Sequence, residues 1–272
     1  MGSRLLQTLA VLGGLMSCLP SHGRVSCSRC YSDIAPQFDV SKRAEGDWRI
    51  TANPLAWGST KPEVVVLGFS KGPTQTGALA SKPHDEIAYK GNRLNVGKIL
   101  AHVGLIPTDE SDMLKKHVDR LIADKSGRFH FASLIRCTVE RYDHKSASWK
   151  GSGGGMLDKF IGTPFGASVA TNCTTTFLRD LPEETRLIVM FGLGTGLNYV
   201  VSAYDLFRRA RPGAWKMINS VAYTDGRITV VHVEHFAAQG ALIPNWLGEK
   251  AHLRSNLGLL SKAAIEASGV GI

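Results

Sequence analysis

Four of the five cysteines in this chain are spaced in a way that suits a metal. Cys27 and Cys30 form a CxxC pair in "VSCSRCYSD", Cys137 follows after 106 intervening residues, and Cys173 after 35 more. A redox dithiol belongs where a strand turns into the helix of a βαβ unit, whereas this pair precedes every strand-like segment. Disulfides are rare in an intracellular chain, which the sequence after residue 20 resembles. Zinc and iron–sulfur clusters both take four thiolates. Spacing alone leaves both a metal site and four unrelated thiols open. Cys18 is the odd thiol, expected as a buried core residue.

The elements that must position these residues are legible as apolar runs. "EVVVLGFS" (63–70), "RFHFASLIRC" (128–137), "RLIVMFGLG" (186–194) and "ITVVHVEH" (228–235) are short, β-branched and end in glycine or polar turns, as buried parallel strands do. Helical patterns lie between and after them, at 92–104, 110–125, 170–181, 195–210 and 249–267. The alternation implies a three-layer α/β/α sandwich on a central parallel four-stranded sheet. Ligands of such sheets bind beyond the carboxyl ends of the strands. That rule points to the loop after Gly68, the segment after Cys137, the "GLGTG" turn (192–196) and "HVEHF" (232–236). "GLGTG" lacks the acidic residue of a dinucleotide site and reads as close strand–helix packing. Residues 144–166, rich in Gly, Ser and Lys, read as a mobile basic insertion.

Lys and Arg outnumber Asp and Glu by 32 to 23, a formal +9, which is compatible with a polyanionic partner such as nucleic acid. The first eighteen residues, "MGSRLLQTLAVLGGLMSC", admit two readings. One is an amphipathic or buried helix over 5–19, stopped by Pro20. The other is a secretory signal ending at a lipid-accepting Cys18, which makes an exported lipoprotein. The weak basic start favours the helix and a cytoplasmic protein. No stretch reaches the roughly 20 apolar residues of a membrane span.

The order of the motifs carries a resemblance. CxxC is followed by "VVVLGFSKGP", "YKGNRLNVGKILAHVGL", "FASLIRC", "ATNCTTTFLRDLPEETRLIVMFG" and "VVHVEHF". This order resembles the uracil-DNA glycosylase superfamily, specifically its iron–sulfur branch of family 4 and 5 enzymes. Those proteins run CxxC, a GEAPG or GINPG strand motif, a strand ending in cysteine, a cysteine-started helix, a VVALG strand and an HPSP-like motif. The resemblance covers residues 27–236. It implies a 1–60 N-terminal helix and CxxC segment joined to a 61–272 uracil-DNA glycosylase-like α/β domain. It implies that Cys27, Cys30, Cys137 and Cys173 hold a four-iron–four-sulfur (4Fe-4S) cluster, with zinc as the alternative occupant. The expected partner is DNA carrying a damaged or deaminated base, and the expected state a monomer.

On the same resemblance, Gly68, Phe69 and Ser70 match the first motif, and Ser70 falls where other members carry Asp, Asn or Ala. No carboxylate stands in that stretch, so Ser70 is a weak water-orienting group, with Asp85 and Glu86 the nearest substitutes. His232 matches the histidine that stabilises the departing base; the bland reading of it is a core histidine at a strand end. Tyr89 lies near the base-stacking aromatic, and Phe236 falls at the minor-groove wedge. Ser133 replaces an Asn that reads the uracil edge, which loosens base specificity. Lys71, Lys90, Arg93, Lys145 and Lys150 are expected around the crevice mouth. These departures keep a second function in view, a non-catalytic nucleic-acid-binding protein on the same fold.

Overall fold

The computed structural model describes residues 18–31, 35–151 and 156–272. Apart from Cys18 and Leu19, the helix expected over 5–19 lies outside them. The chain begins with strands β1 (Gly23–Arg24), β2 (Lys42–Glu45), β3 (Trp48–Thr51), β4 (Leu55–Gly58) and β5 (Val64–Gly68). Helices α1 (Pro73–Ala78), α2 (His84–Ile87), α3 (Arg93–His102) and α4 (Ser111–Ala123) follow. Next come β6 (Phe129–Ser133), β7 (Thr138–Asp143), β8 (Ser148–Gly151), α5 (Leu157–Ile161), α6 (Pro164–Leu178) and β9 (Leu187–Phe191). The chain closes with α7 (Asn198–Ala210), β10 (Lys216–Asn219), β11 (Ala222–Thr224), β12 (Thr229–Val233), α8 (Leu242–Trp246) and α9 (Arg254–Ala267).

The main sheet has eight strands rather than the four expected, in the order β1-β4-β6-β5-β9-β12-β11-β10. Its interior strands β6, β5, β9 and β12 pair in parallel, with Val65 opposite both His130 and Ile188. Every residue of β5 and β9 is buried, because a sheet covered on both faces needs continuous apolar runs. Antiparallel strands extend it on both sides. α3 packs on α4, which lies against β4 and β6, and α5, α6 and α7 pack on one another.

A second, antiparallel sheet runs β2-β3-β7-β8. Its β7–β8 hairpin occupies the start of the segment expected to be a mobile insertion. Ala147 supplies a positive φ of 48° at the turn, and Trp149 packs on Tyr142 and beneath Arg49. The N-terminal segment contributes strands to both sheets, and Leu19, Cys30, Trp48 and Trp57 share one core with the strands that follow. Cys18 is exposed, not the buried core thiol expected. Among the described residues, no helix is long and apolar enough to cross a membrane.

Candidate functional site

The described residues form two candidate sites. The first is a crevice of about 560 Å³ bounded by the ends of β5, β9 and β12, at Phe69, Ser70, Gly192–Thr195 and Glu234–Phe236, with Tyr89 and Arg254 closing it. Glycine is required at two points of the GLGTG turn. A side chain on Gly192 would meet the Tyr199 ring at 2.9 Å, and one on Gly194 would overlap Asn198 Oδ1. The turn therefore packs closely, as expected, and also lines the crevice.

One wall is aromatic. Tyr89 meets Phe131, Phe191 and Phe236 edge to face, with centroids 4.9–5.9 Å away. Phe236 is held by Phe191 at 5.1 Å and by Asn95 Nδ2 donating to its carbonyl at 2.9 Å. It lines the crevice wall. Two exposed apolar residues stand nearby, Leu242 in the lining and Leu253, 84% exposed, next to Arg254.

Tyr89 combines two costs. Its φ is +51°, a left-handed conformation rare for a bulky residue, and its hydroxyl is buried with no hydrogen-bond partner among the described residues. Desolvation holds the phenol protonated well above its ordinary range. Tyr89→Phe removes the orphan group and is expected to stabilise the free protein by about 1–3 kcal/mol in urea melts. A loss of stability would show that the hydroxyl is already satisfied.

The polar wall comes from the end of β12. Glu234 is buried; its Oε1 accepts from the His235 N–H at 2.9 Å, and Arg254 Nε donates to its Oε2. The His235 ring stacks on Phe236 at 4.4 Å, and its Nδ1 accepts from the Ala237 N–H at 3.1 Å. That bond puts the ring proton on Nε2, which is then a donor. Desolvation lowers the His235 pKa, opposed by the Glu234 charge, so the ring is neutral at pH 7.

His232 is elsewhere. It lies inside β12, fully buried, with Nδ1 bonded to the Gly192 carbonyl at 3.0 Å and Nε2 to the Tyr223 hydroxyl at 3.2 Å. Burial pushes its pKa down to about 4. The structure makes it a satisfied core histidine and puts His235 in the crevice. Ser133 and Gly68 pair across the ends of β6 and β5 without lining the crevice. Asp85 pairs with His22 at 2.8 Å and, like Glu86, is not in the lining. Of the expected cations, Lys90 lines the crevice; Arg93 pairs with Asp119, Lys150 with Asp143, Lys71 is buried, and Lys145 is exposed outside the lining. Glu234, His235 and Arg254 are the residues that sequence reasoning missed. Only "HVEHF" held a signal for the first two, and nothing marked Arg254.

The second site gathers the four cysteines. Cys27, Cys30, Cys137 and Cys173 line one small pocket with Tyr31, Arg136 and Asn172, bounding about 330 Å³ of atom-free space that includes its opening to solvent. Cys30, Cys137 and Cys173 are buried, and Asn172 Nδ2 donates to Cys30 Sγ at 3.6 Å. Burial first, and then the neighbouring thiols, push the Cys137 and Cys173 pKa values up, Cys137 to about 11. Four thiolates so placed repel one another unless a metal holds them.

Two buried cations flank this pocket. Lys71 Nζ donates to the Arg136 carbonyl, and desolvation lowers its pKa to about 8, opposed by Cys137. Arg136 donates to the Leu55 carbonyl at 3.3 Å and to His130 Nε2 at 3.4 Å, and lies 4.6 Å over the Phe177 ring. Neither forms an ion pair with a carboxylate among the described residues. Each buried charge without a counter-charge costs several kcal/mol, and a tetrathiolate metal centre supplies roughly two negative charges. The donor set and the charge therefore fit such a centre.

Four thiolates are the ligand set of a tetrahedral zinc and of an iron–sulfur cluster alike.

No family model and no curated protein matches this chain. Among solved structures, the crystal structure of wild-type Pedobacter heparinus SMUG2 is similar at 10% identity over 77% of each chain, with a TM-score of 0.37. A superposition that loose carries no weight for fold or chemistry.

Proposed function

We propose that this chain is a divergent DNA glycosylase of the uracil-DNA glycosylase type, hydrolysing the N-glycosidic bond of a flipped-out damaged or deaminated base. The observation that carries the reading is the crevice itself. A neutral imidazole donor, a buried carboxylate and an aromatic wall converge beyond the carboxyl ends of three parallel strands. The order of the sequence motifs supports it independently.

An extruded base stacks on the aromatic wall formed by Tyr89, Phe236 and the His235 ring. Cleavage develops negative charge on the departing base and positive charge on the sugar. The Nε2–H of His235 donates to a carbonyl oxygen of the base as that charge develops. Glu234, fixed by Arg254, lowers the energy of the cationic sugar. Ser70, on the facing wall, orients the water whose oxygen bonds to the sugar carbon as the base leaves with the bonding electrons, and the proton the water sheds is taken up by the anionic base. Leu253 is the wedge that takes the vacated place in the stack. The four cysteines hold a 4Fe-4S cluster. When bound, it supplies a structural clamp and the negative charge that Lys71 and Arg136 face.

The test is incubation with oligonucleotides carrying uracil, hypoxanthine, xanthine or no lesion, followed by alkaline scission at abasic sites. The expected result is strand cleavage with at least one lesion and none with the undamaged control. Salt-sensitive DNA binding without product from any lesion would overturn the enzyme reading in favour of the non-catalytic binding protein. The missing carboxylate beside Ser70 favours that rival.

A further inference from the structure

The structure assigns a second metal site, unconnected with the cysteines, to His22, His84 and Asp85. Each offers one ligand atom, and the three lie within 4.8 Å of one another. His84 Nε2 must donate to the Ala56 carbonyl at 2.8 Å, which leaves Nδ1 as its ligand atom. A backbone carbonyl on the far nitrogen is how metal-binding histidines are oriented. The ring is also fixed by stacking on Trp57 at 4.8 Å, and Trp57 Nε1 donates to the His84 carbonyl at 2.9 Å. Asp85 Oδ1 is shielded from solvent and lies 2.8 Å from His22 Nε2, which carries the ring proton because Nδ1 accepts from the Gly58 N–H. A divalent cation bound here takes the place of that proton between the imidazole and the carboxylate.

Two imidazoles and one carboxylate suit a first-row divalent cation, zinc foremost, with water in the remaining position. The Asp85 side chain is 46% exposed, which gives that water and the ion a way in. Binding at His22 Nε2 moves the ring proton to Nδ1 and gives up the contact from the Gly58 N–H, which is long at 3.3 Å. The ion would pin the segment entering β1 onto α2. Two residues beyond α2 stands Tyr89, so the site braces the aromatic wall from behind.

The test is titration of the purified full chain with cobalt(II), read by absorption and by competition with zinc. The expected result is one equivalent bound with weak visible bands and no thiolate charge-transfer band. Asp85→Asn, on a half-exposed side chain, and His84→Ala should each weaken it at least tenfold, while His144→Ala, at an exposed histidine of the β7–β8 hairpin, leaves it unchanged. No cobalt beyond a thiolate-type signal, or unchanged affinity in Asp85→Asn, overturns the assignment. The glycosylase assay bears on neither outcome.

Discussion

Replacing His235 with alanine should slow base release by about 10²–10³-fold in single-turnover assays, the usual cost of deleting one donor at a developing anion. DNA affinity should change little, because the donor acts on charge that exists only in the transition state. The pH profile checks the protonation state. The His235 pKa lies below the ordinary 6.5, held there by burial, so neutral imidazole predominates from that value upward. If the neutral ring is the working donor, the rate stays level as pH rises from about 6.5 to 8. A rate that declines across that range would instead require imidazolium and sink the assignment. His232→Ala is the contrasting variant. It strands the Tyr223 hydroxyl and the Gly192 carbonyl, costing about 1–3 kcal/mol of stability. The turnover of its folded fraction should stay within a few-fold of wild type.

That contrast shows where the sequence could be read and where it could not. The four interior strands were legible because burial on both faces demands unbroken apolar runs. The same burial erases the period-2 alternation that says which way a side chain points. Nothing in "VVHVEHF" therefore distinguished His232, paired with Met190 inside the sheet, from His235 beyond its end. The outer strands were missed for other reasons. β1 is two residues long, and three of the four β10 residues are exposed, so neither carries a buried run. The β7–β8 hairpin was masked by its composition: glycine and lysine suggest mobility, while Trp149 between Tyr142 and Arg49 anchors the strand. The cysteines converged because their order, unlike any side-chain direction, survives in a linear string. Arg254 reaches Glu234 from twenty positions further along the chain, and no motif lies between Phe236 and it.

At the cysteine pocket the larger structural effect is expected, and its sign is informative. Anaerobically purified protein should be brown, absorb near about 400 nm and carry iron and sulfide in equal amounts. Cys137→Ser or Cys173→Ser should abolish the colour and most of the soluble yield, since both thiols are buried between the sheet and α6. A colourless wild-type protein with one zinc would make the centre mononuclear. Misfolding alone also removes colour, so Lys71→Met is the sharper variant. Without an anionic centre, Lys71 is a buried charge bonded to the Arg136 carbonyl, beside thiols and the repelling Arg136 charge, with Asp39 the weakest of the charges acting on it; replacing it with an apolar side chain of similar length then relieves desolvation and raises the melting temperature. With a dianionic centre present, the same substitution removes a counter-charge. The melting temperature should then fall, and iron should be lost to a chelator faster than from wild type. Lys71 stands between Ser70 and Gly72, both of which line the crevice. A centre that holds Lys71 in place therefore also holds the loop that orients water, and the Lys71→Met protein should lose base release in proportion to its lost iron.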